Sequence, residues 1–335
     1  IAQRGTSATG IGVTPSYNTV DRWRFADSNN PTARFTQTQS TDAPEGFGFS
    51  HKFEVTTIDG GPEDNEMQYT DQFIEAQNLQ LLKYGTSNAE SITLSFYVKS
   101  SVASTMGVRF SHEDGGGSYG ASYTINATNT WERKSITVPG NTATAINNDN
   151  GRGMSIRFGL NIGATYAGAG SNSTAWGNGK LFGEHTNTFV GTANATWQIT
   201  GVQLEVGSTA TEFEHLSFDE ELRLCSRYYR KIGRFMGGGR EGYSVSNVTF
   251  TPGMRLTGSD ASNIVSTISA GGVMYSRASV NNSTGTLSGT VSVSTTATAQ
   301  AFTAGFAHNG ASTGSTYNGT NSGVYVDGLE FDAEL

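Results

Sequence analysis

The sequence is poor in residues that cross-link or anchor a chain. Among 335 residues there are six prolines and a single cysteine, Cys225. One cysteine excludes an intrachain disulfide and any metal site built on several thiolates. No run approaches the ~20 consecutive apolar residues of a membrane-spanning helix. We therefore predict no membrane span. Because the sequence starts at Ile1, we expect the natural N-terminus to have been cut off, which leaves targeting open.

Charge is also scarce, since charged residues are 15% of the chain and the formal net charge is −8. Nucleic-acid-binding proteins gather lysine and arginine into a patch, whereas here the basic residues are scattered. One local cluster stands out, and we interpret it as a solvated or subunit-facing helix surface. Its members are Arg223, Arg227, Arg230, Lys231 and Arg234. We predict no nucleic-acid partner.

Catalytic patterns are missing as well. The five histidines are dispersed without a His-Glu-x-x-His pair, and there is no Gly-x-Ser-x-Gly segment. The acids at 219–221 are explained by helix capping, and Glu63, Asp64 and Glu66 lie in a polar loop without a recognised ligand spacing. We predict no enzyme activity, no cofactor and no metal site. Binding of Ca²⁺ by the loop at 59–66 is left open.

The abundant residues are glycine (43), threonine, serine and asparagine, arranged around short alternating runs. The clearest is 197–205, where Trp197, Ile199, Val202 and Leu204 are apolar near every second position. The slip at Thr200-Gly201 predicts a bulge in a half-buried strand. A strand with one apolar face needs a second sheet to cover it.

Further strands are predicted from the same alternation at 17–25, 48–56, 91–100, 102–111 and 154–162. The segment 68–82 is predicted as a strand in its first half and as a short helical turn at its Leu-rich end. The segments 119–125 and 131–138 are predicted to pair with each other. No helical period separates these strands. The pattern therefore predicts an all-β fold, an antiparallel jelly-roll β-sandwich over residues 1–216.

One connecting α-helix is predicted over 217–233, because Ser217 and Glu220 have the spacing of a capping box. It would carry the predicted subunit-interface residues, which are Leu222, Cys225, Tyr228 and Tyr229. From 234 to 335 serine, threonine, glycine and asparagine dominate, with alternating runs. That composition predicts a second, smaller β-sandwich.

The long segment 163–188 is rich in glycine, serine and asparagine, and such loops are functional or disordered. Tyr166, Trp176, His185 and Asn178 have the aromatic and amide chemistry of a sugar site, so they form a candidate glycan platform. In the alternative interpretation, Trp176 pins the loop onto the sandwich or packs against another subunit. The other three tryptophans are predicted in the core. They are Trp23, Trp131 and Trp197.

Residues 1–232 resemble a module found in tail fibres and other structural proteins of tailed bacteriophages. The motifs that carry the resemblance are 2–7, 21–23, 42–46, 92–100, 129–132, 136–140, 199–207, 211–214 and 221–229, together with the long loop 163–188. Glu212 departs from the pattern, because such modules often have proline there. The resemblance implies a domain like a carbohydrate-binding module, displayed on a virion and often in a trimeric fibre.

The function predicted on this basis is a non-enzymatic tail fibre or surface appendage of a phage. It would form a homo-oligomer, expected to be a trimer, contact other virion proteins and bind host-surface polysaccharide. Two alternatives stay open: a purely structural head-decoration or adaptor protein without a ligand, and a polysaccharide-degrading enzyme with an acid pair that the sequence does not reveal.

Overall fold

A computed structural model describes residues 1–168, 170–177 and 181–239, then Glu334 and the seven strands that lie between 244 and 332; side chains are described up to Arg230 and at Glu334. The chain separates into two compact units, 1–216 and 217–334. Within the described residues, no helix is long and apolar enough to cross a membrane.

The first unit consists of two antiparallel sheets, and its fold is the predicted jelly-roll β-sandwich. The six-stranded sheet has the order β1 (Ser7–Ile11), β3 (Arg34–Ser40), β4 (Ser50–Thr57), β11 (Thr196–Val206), β6 (Ile92–Ser100), β9 (Glu132–Val138). The five-stranded sheet has the order β2 (Arg24–Ser28), β5 (Met67–Glu75), β10 (Arg152–Ile162), β7 (Ser104–His112), β8 (Gly117–Ile125). A 3₁₀-helix, Ala76–Leu82, follows β5.

The core lies between the two sheets and is rich in aromatic rings. Trp197 is fully buried, and its Nε1 donates a hydrogen bond to the Tyr123 hydroxyl at 2.8 Å. Trp23 is buried too, as predicted. The prediction was wrong for Trp131, which is only half-buried because its Nε1 reaches Asp42 on the surface at 3.3 Å.

The anchor strand β11 lies between β4 and β6 in the middle of its sheet. The predicted bulge is confirmed, because the register with β6 shifts between Thr200 and Gln203. Gly201 has φ +57° there, a left-handed conformation that glycine adopts without a steric penalty. The bulge returns Leu204 to the face on which Ile199 lies.

The predicted pairing of 119–125 with 131–138 was wrong. β8 pairs with β7 in one sheet, and β9 pairs with β6 in the other. The connection at 126–131 therefore crosses from one sheet to the other. Alternation identifies a strand and its buried face, but it does not identify the neighbour.

In the second unit, α1 (Phe218–Cys225) begins with the predicted capping box between Ser217 and Glu220. It ends eight residues before the predicted end at 233. Tyr229–Gly239 is a strand, β12, that pairs along its length with β19 (Ser322–Asp332). The remaining described strands are β13 (Ser244–Thr249), β14 (Val265–Ile268), β15 (Val273–Ser276), β16 (Thr284–Thr286), β17 (Val291–Thr298) and β18 (Ala301–His308). Their pairings are antiparallel.

Candidate ligand-binding face

The outer face of the five-stranded sheet carries an unusual set of charged side chains. Three of its strands contain an Arg-Phe pair, and successive side chains of a strand point to opposite faces. The phenylalanines are fully buried in the core, so the arginines lie on the outer face. The pairs are Arg24-Phe25, Arg109-Phe110 and Arg157-Phe158.

These arginines form one row across the sheet. In register, Arg24 is opposite Asp71, Asp71 opposite Arg157, and Arg157 opposite Arg109. Arg24 donates two hydrogen bonds to the Asp71 carboxylate, from Nε at 3.0 Å and from Nη2 at 2.7 Å. This bidentate pairing fixes both side chains.

Arg157 connects the row to a second carboxylate. Its Nη2 donates to Glu113 Oε1 at 2.9 Å, and its Nε lies 3.8 Å from Asp71 Oδ2. Ser155 Oγ accepts from Arg157 Nε at 3.0 Å and donates to Glu113 Oε1 at 2.5 Å. The guanidinium of Arg157 also lies over the Tyr69 ring, 5.3 Å from its centroid.

The second row of the face consists of a phenylalanine and three serines from four strands. Arg24 and Arg152 lie over the Phe73 ring, at 4.6 and 4.1 Å from its centroid. Ser118 Oγ accepts a hydrogen bond from Arg109 Nε at 2.9 Å. The four residues of this row are Phe73, Ser155, Ser111 and Ser118.

Burial shapes the electrostatics of the face. Desolvation raises the pKa of Asp71, against the opposing effects of Arg24 and Arg157. Desolvation and the charge of Arg157 lower the pKa of Arg109 to about 10, so Arg109 is cationic at neutral pH. The face therefore presents half-buried cations with buried serine hydroxyls beside them.

Phe182 and Gly183 cover one end of this face. Phe182 is fully buried and packs on the Tyr69 ring, with 5.9 Å between ring centroids. Glycines make room for it, since a Cβ at Gly120 would lie 2.8 Å from the Phe182 backbone. This end of the face is thus closed by the chain itself.

Trp176 is folded back against the edge of the sandwich. Its Nε1 donates to the Pro139 carbonyl at 2.6 Å, and its ring packs on Tyr84, His112 and Tyr119 at centroid distances of 5.8 to 6.4 Å. This arrangement corresponds to the alternative interpretation, in which Trp176 pins the loop onto the sandwich.

The structure describes two of the three remaining platform residues, and their binding of a glycan stays a prediction. His185 is buried, and its Nδ1 accepts a hydrogen bond from the Gly107 amide at 3.0 Å. Tyr166 is half-buried beside Phe182. Asn178 lies outside the described residues.

The predicted interface residues lie in the second unit. Cys225, Tyr228 and Tyr229 are buried within the chain, and Leu222 is half-buried. Only Leu222 and Cys225 belong to α1, so the placement of the two tyrosines on the helix was wrong. Their role between subunits stays a prediction.

Two of the four acidic side chains in the loop at 59–66 are held in internal contacts. Asp59 accepts from Asn161, and Glu66 accepts from the Glu63 amide at 2.9 Å. Within the described part of the chain, no three histidine, cysteine or acidic residues are placed to hold a metal ion.

No family model matches this sequence, and no curated protein sequence matches it. Solved structures similar to this chain include a phage tailspike domain and several carbohydrate-binding modules. The enzymatically active domain of tailspike protein 4 of bacteriophage CBA120 is 13% identical with a TM-score of 0.30, covering 55% of this chain and 19% of that chain. This chain thus spans about a fifth of that tailspike structure.

Two carbohydrate-binding proteins are matched over more of their length. The family 11 carbohydrate-binding module of the Clostridium thermocellum cellulase Lic26A-Cel5E is 13% identical with a TM-score of 0.29, covering 59% of this chain and 98% of that chain. The N-terminal CBM22-1–CBM22-2 tandem domain of Xyn10C from Paenibacillus barcinonensis is 11% identical with a TM-score of 0.29, covering 92% of this chain and 93% of that chain. Similarity at this level establishes neither a family nor an activity for the chain.

Proposed function

We propose that the first unit is a non-enzymatic carbohydrate-binding module of a phage virion protein, and that it binds host-surface polysaccharide on the outer face of its five-stranded sheet. The observation that carries this proposal is the row Arg24, Asp71, Arg157 and Arg109 with its neighbouring serines. Sugars require several donors and acceptors, and this face offers the half-buried guanidinium groups of Arg24, Arg109 and Arg157 beside the buried rings of Tyr69 and Phe73.

A binding role fits the carboxylates of this face better than a hydrolytic one. Glycoside hydrolysis needs two carboxyl groups that reach the scissile bond. The Asp71 side chain has no exposed surface, and both of its oxygens accept hydrogen bonds from Arg24. Glu113 is likewise held by Arg157 and Ser155.

The virion location and the homotrimer rest on the sequence resemblance over residues 1–232. A trimeric appendage would present three weak sites on one particle, which raises the overall affinity without new contacts. Light scattering on the full chain in solution measures the number of subunits directly. A monomer at micromolar concentration would contradict the trimeric fibre.

The binding proposal is tested on arrays of bacterial polysaccharides with the full chain and two matched variants. Arg157→Ala removes the arginine that connects Asp71 and Glu113, and we expect at least a tenfold loss of binding. Arg133→Ala makes the same change on β9 of the six-stranded sheet, where Arg133 lies close to Glu212, and should leave binding unchanged. Equal losses in both variants would contradict a site on the five-stranded sheet. No response to any glycan would favour the purely structural alternative.

A further inference from the structure

Arg109 differs from the other two arginines of its row in having no acidic partner. Arg24 is paired with Asp71 at 2.7 Å, and Arg157 with Glu113 at 2.9 Å. Among the residues that the structure describes, no carboxylate lies within ion-pair distance of Arg109. Among these residues, Arg109 makes one hydrogen bond, from its Nε to Ser118 Oγ. Its two terminal nitrogens have no hydrogen-bond partner among them.

Ser111 adds an unsatisfied hydroxyl beside this cation. It lies two residues beyond Arg109 on β7, and therefore on the same face. Only 3% of the residue is exposed, yet its Oγ has no hydrogen-bond partner in the described part of the chain. Buried polar groups are nearly always paired, so this buried hydroxyl would gain a hydrogen bond if a ligand group entered beside Arg109.

The positive charge of Arg157 next to Arg109 also favours the binding of an anion at this position. Arg109 and Arg157 are direct cross-strand partners, and like charges directly opposite destabilise a sheet. Glu113 and Asp71 are both engaged by Arg157, and neither is within ion-pair distance of Arg109, although the charge of Glu113 acts on Arg109 at longer range and opposes the lowering of its pKa. An anion at Arg109 would offset the repulsion between the two guanidinium groups.

Arginine geometry indicates the class of anion. A guanidinium with both terminal nitrogens open presents a planar fork that matches a carboxylate. On a polysaccharide, that group is the carboxylate of a uronic acid residue. A sulfate ester has similar charge and acceptor oxygens, and is the other source of the same chemistry.

We propose that the outer face of the five-stranded sheet selects acidic polysaccharides, and that Arg109 and Ser111 together bind one sugar carboxylate. The inference rests on the proposed function and specifies its ligand. Arg109 would form the bidentate ion pair, and the Ser111 hydroxyl would donate a hydrogen bond to the same group.

The test compares the full chain on three polymers by isothermal titration calorimetry: polygalacturonate, the same polymer with its carboxyl groups reduced to alcohols, and dextran sulfate. We expect polygalacturonate to bind at least tenfold more tightly than its reduced form. Arg109→Gln should remove this preference while binding of the reduced polymer persists. Arg109→Lys keeps the charge without the fork and should retain part of the preference. Arg133→Gln is the matched control on the opposite sheet.

Ser111→Ala tests whether the Ser111 hydroxyl binds the ligand or is only an unsatisfied buried group. If the hydroxyl binds the carboxylate, the variant should bind polygalacturonate several-fold more weakly at an unchanged melting temperature. A higher melting temperature with unchanged binding would contradict the role of Ser111.

The failure of the inference differs from the failure of the proposed function. Equal affinity of the wild type for the acidic and the reduced polymer would overturn the inference and leave glycan binding standing. Binding of dextran sulfate without polygalacturonate would overturn the carboxylate assignment. If the chain binds none of these polymers and none of the polysaccharides on the arrays, both the inference and the proposed function are overturned.

Discussion

Three buried histidines connect the stability of the first unit to pH. Burial lowers the pKa of His185 to about 4 and that of His51 to about 3, both from an ordinary value of 6.5, and it lowers the pKa of His112 as well. The unfolded chain therefore takes up protons first as the pH falls. The stabilising contribution of the neutral rings is complete above pH 6.5 and is lost as the pH falls toward the lower values.

We expect the free energy of unfolding to fall by about 2 kcal/mol between pH 6.5 and 5 through His185 alone. Urea unfolding at pH 7, 6 and 5 measures this dependence. His185→Gln should reduce the pH dependence, because position 185 then has no proton to take up while His51 and His112 still do. His215 is exposed, so His215→Gln serves as the control and should keep the slope of the wild type. A wild-type stability that stays constant from pH 7 to 5 would contradict the prediction.

At the residue scale, part of the site could have been found from the sequence. The repeated Arg-Phe pairs indicate strands with phenylalanine inside and arginine outside. The sequence does not indicate which arginines share a sheet, because that depends on pairing between distant strands. Arg34-Phe35 is an example, since it lies in the six-stranded sheet and its guanidinium donates to the carbonyls of Pro31, Thr32 and Ala33. The open fork of Arg109 is visible only once its neighbours are known.

At the scale of elements, the bulge in β11 is the feature that alternation predicted best. It depends on Gly201, where a Cβ would lie 2.7 Å from the Phe47 ring and in a left-handed conformation. Phe47 has little room to move, because its ring packs on Tyr97 and Phe213 at 5.3 and 5.2 Å. Gly201→Ala should lower the free energy of unfolding by about 1–2 kcal/mol through the backbone conformation alone, with the ring contact adding to this.

Gly48→Ala is the control for this substitution, because Gly48 has no positive φ and its Cβ would meet nothing within 4 Å. Thermal and urea unfolding measure both variants. Combining Gly201→Ala with Phe47→Ala should cost less than the sum of the single substitutions, since the clash is then removed. A strictly additive double variant would show that the ring is not part of the cost.

The helix shows where local pattern stops being informative. Its start was predicted correctly, because the Ser217–Glu220 capping box is a local interaction. Its end was not, because residues 229–239 pair with a strand almost a hundred positions later. Ser226 follows the last helical turn and its Oγ donates to the Leu222 carbonyl at 2.7 Å, a contact that the alternation of apolar residues does not reveal.

At the scale of the whole molecule, the jelly roll was predictable because strands such as β6, β7 and β10 repeat the same two-residue period. Strand order was not predictable, since β4, β11 and β6 lie side by side although they are far apart in sequence. Among the side chains that the structure describes, the hydrophobic core of the first unit extends from Ile11 to Leu204, before residue 217. The first unit therefore contains the described core of its own sandwich.

We expect a fragment of residues 1–216 to fold on its own and to unfold in one cooperative transition, because both sheets and the core between them are present. Near-ultraviolet circular dichroism and thermal unfolding would measure this. The matched control is a fragment of residues 1–195, which lacks β11. Without that strand, β4 and β6 have unpaired edges in the middle of the sheet and the fully buried Trp197 is missing, so this fragment should aggregate. A disordered 1–216 fragment would mean that residues beyond 216 contribute to the stability of the sandwich, while a folded 1–195 fragment would contradict the central role of β11.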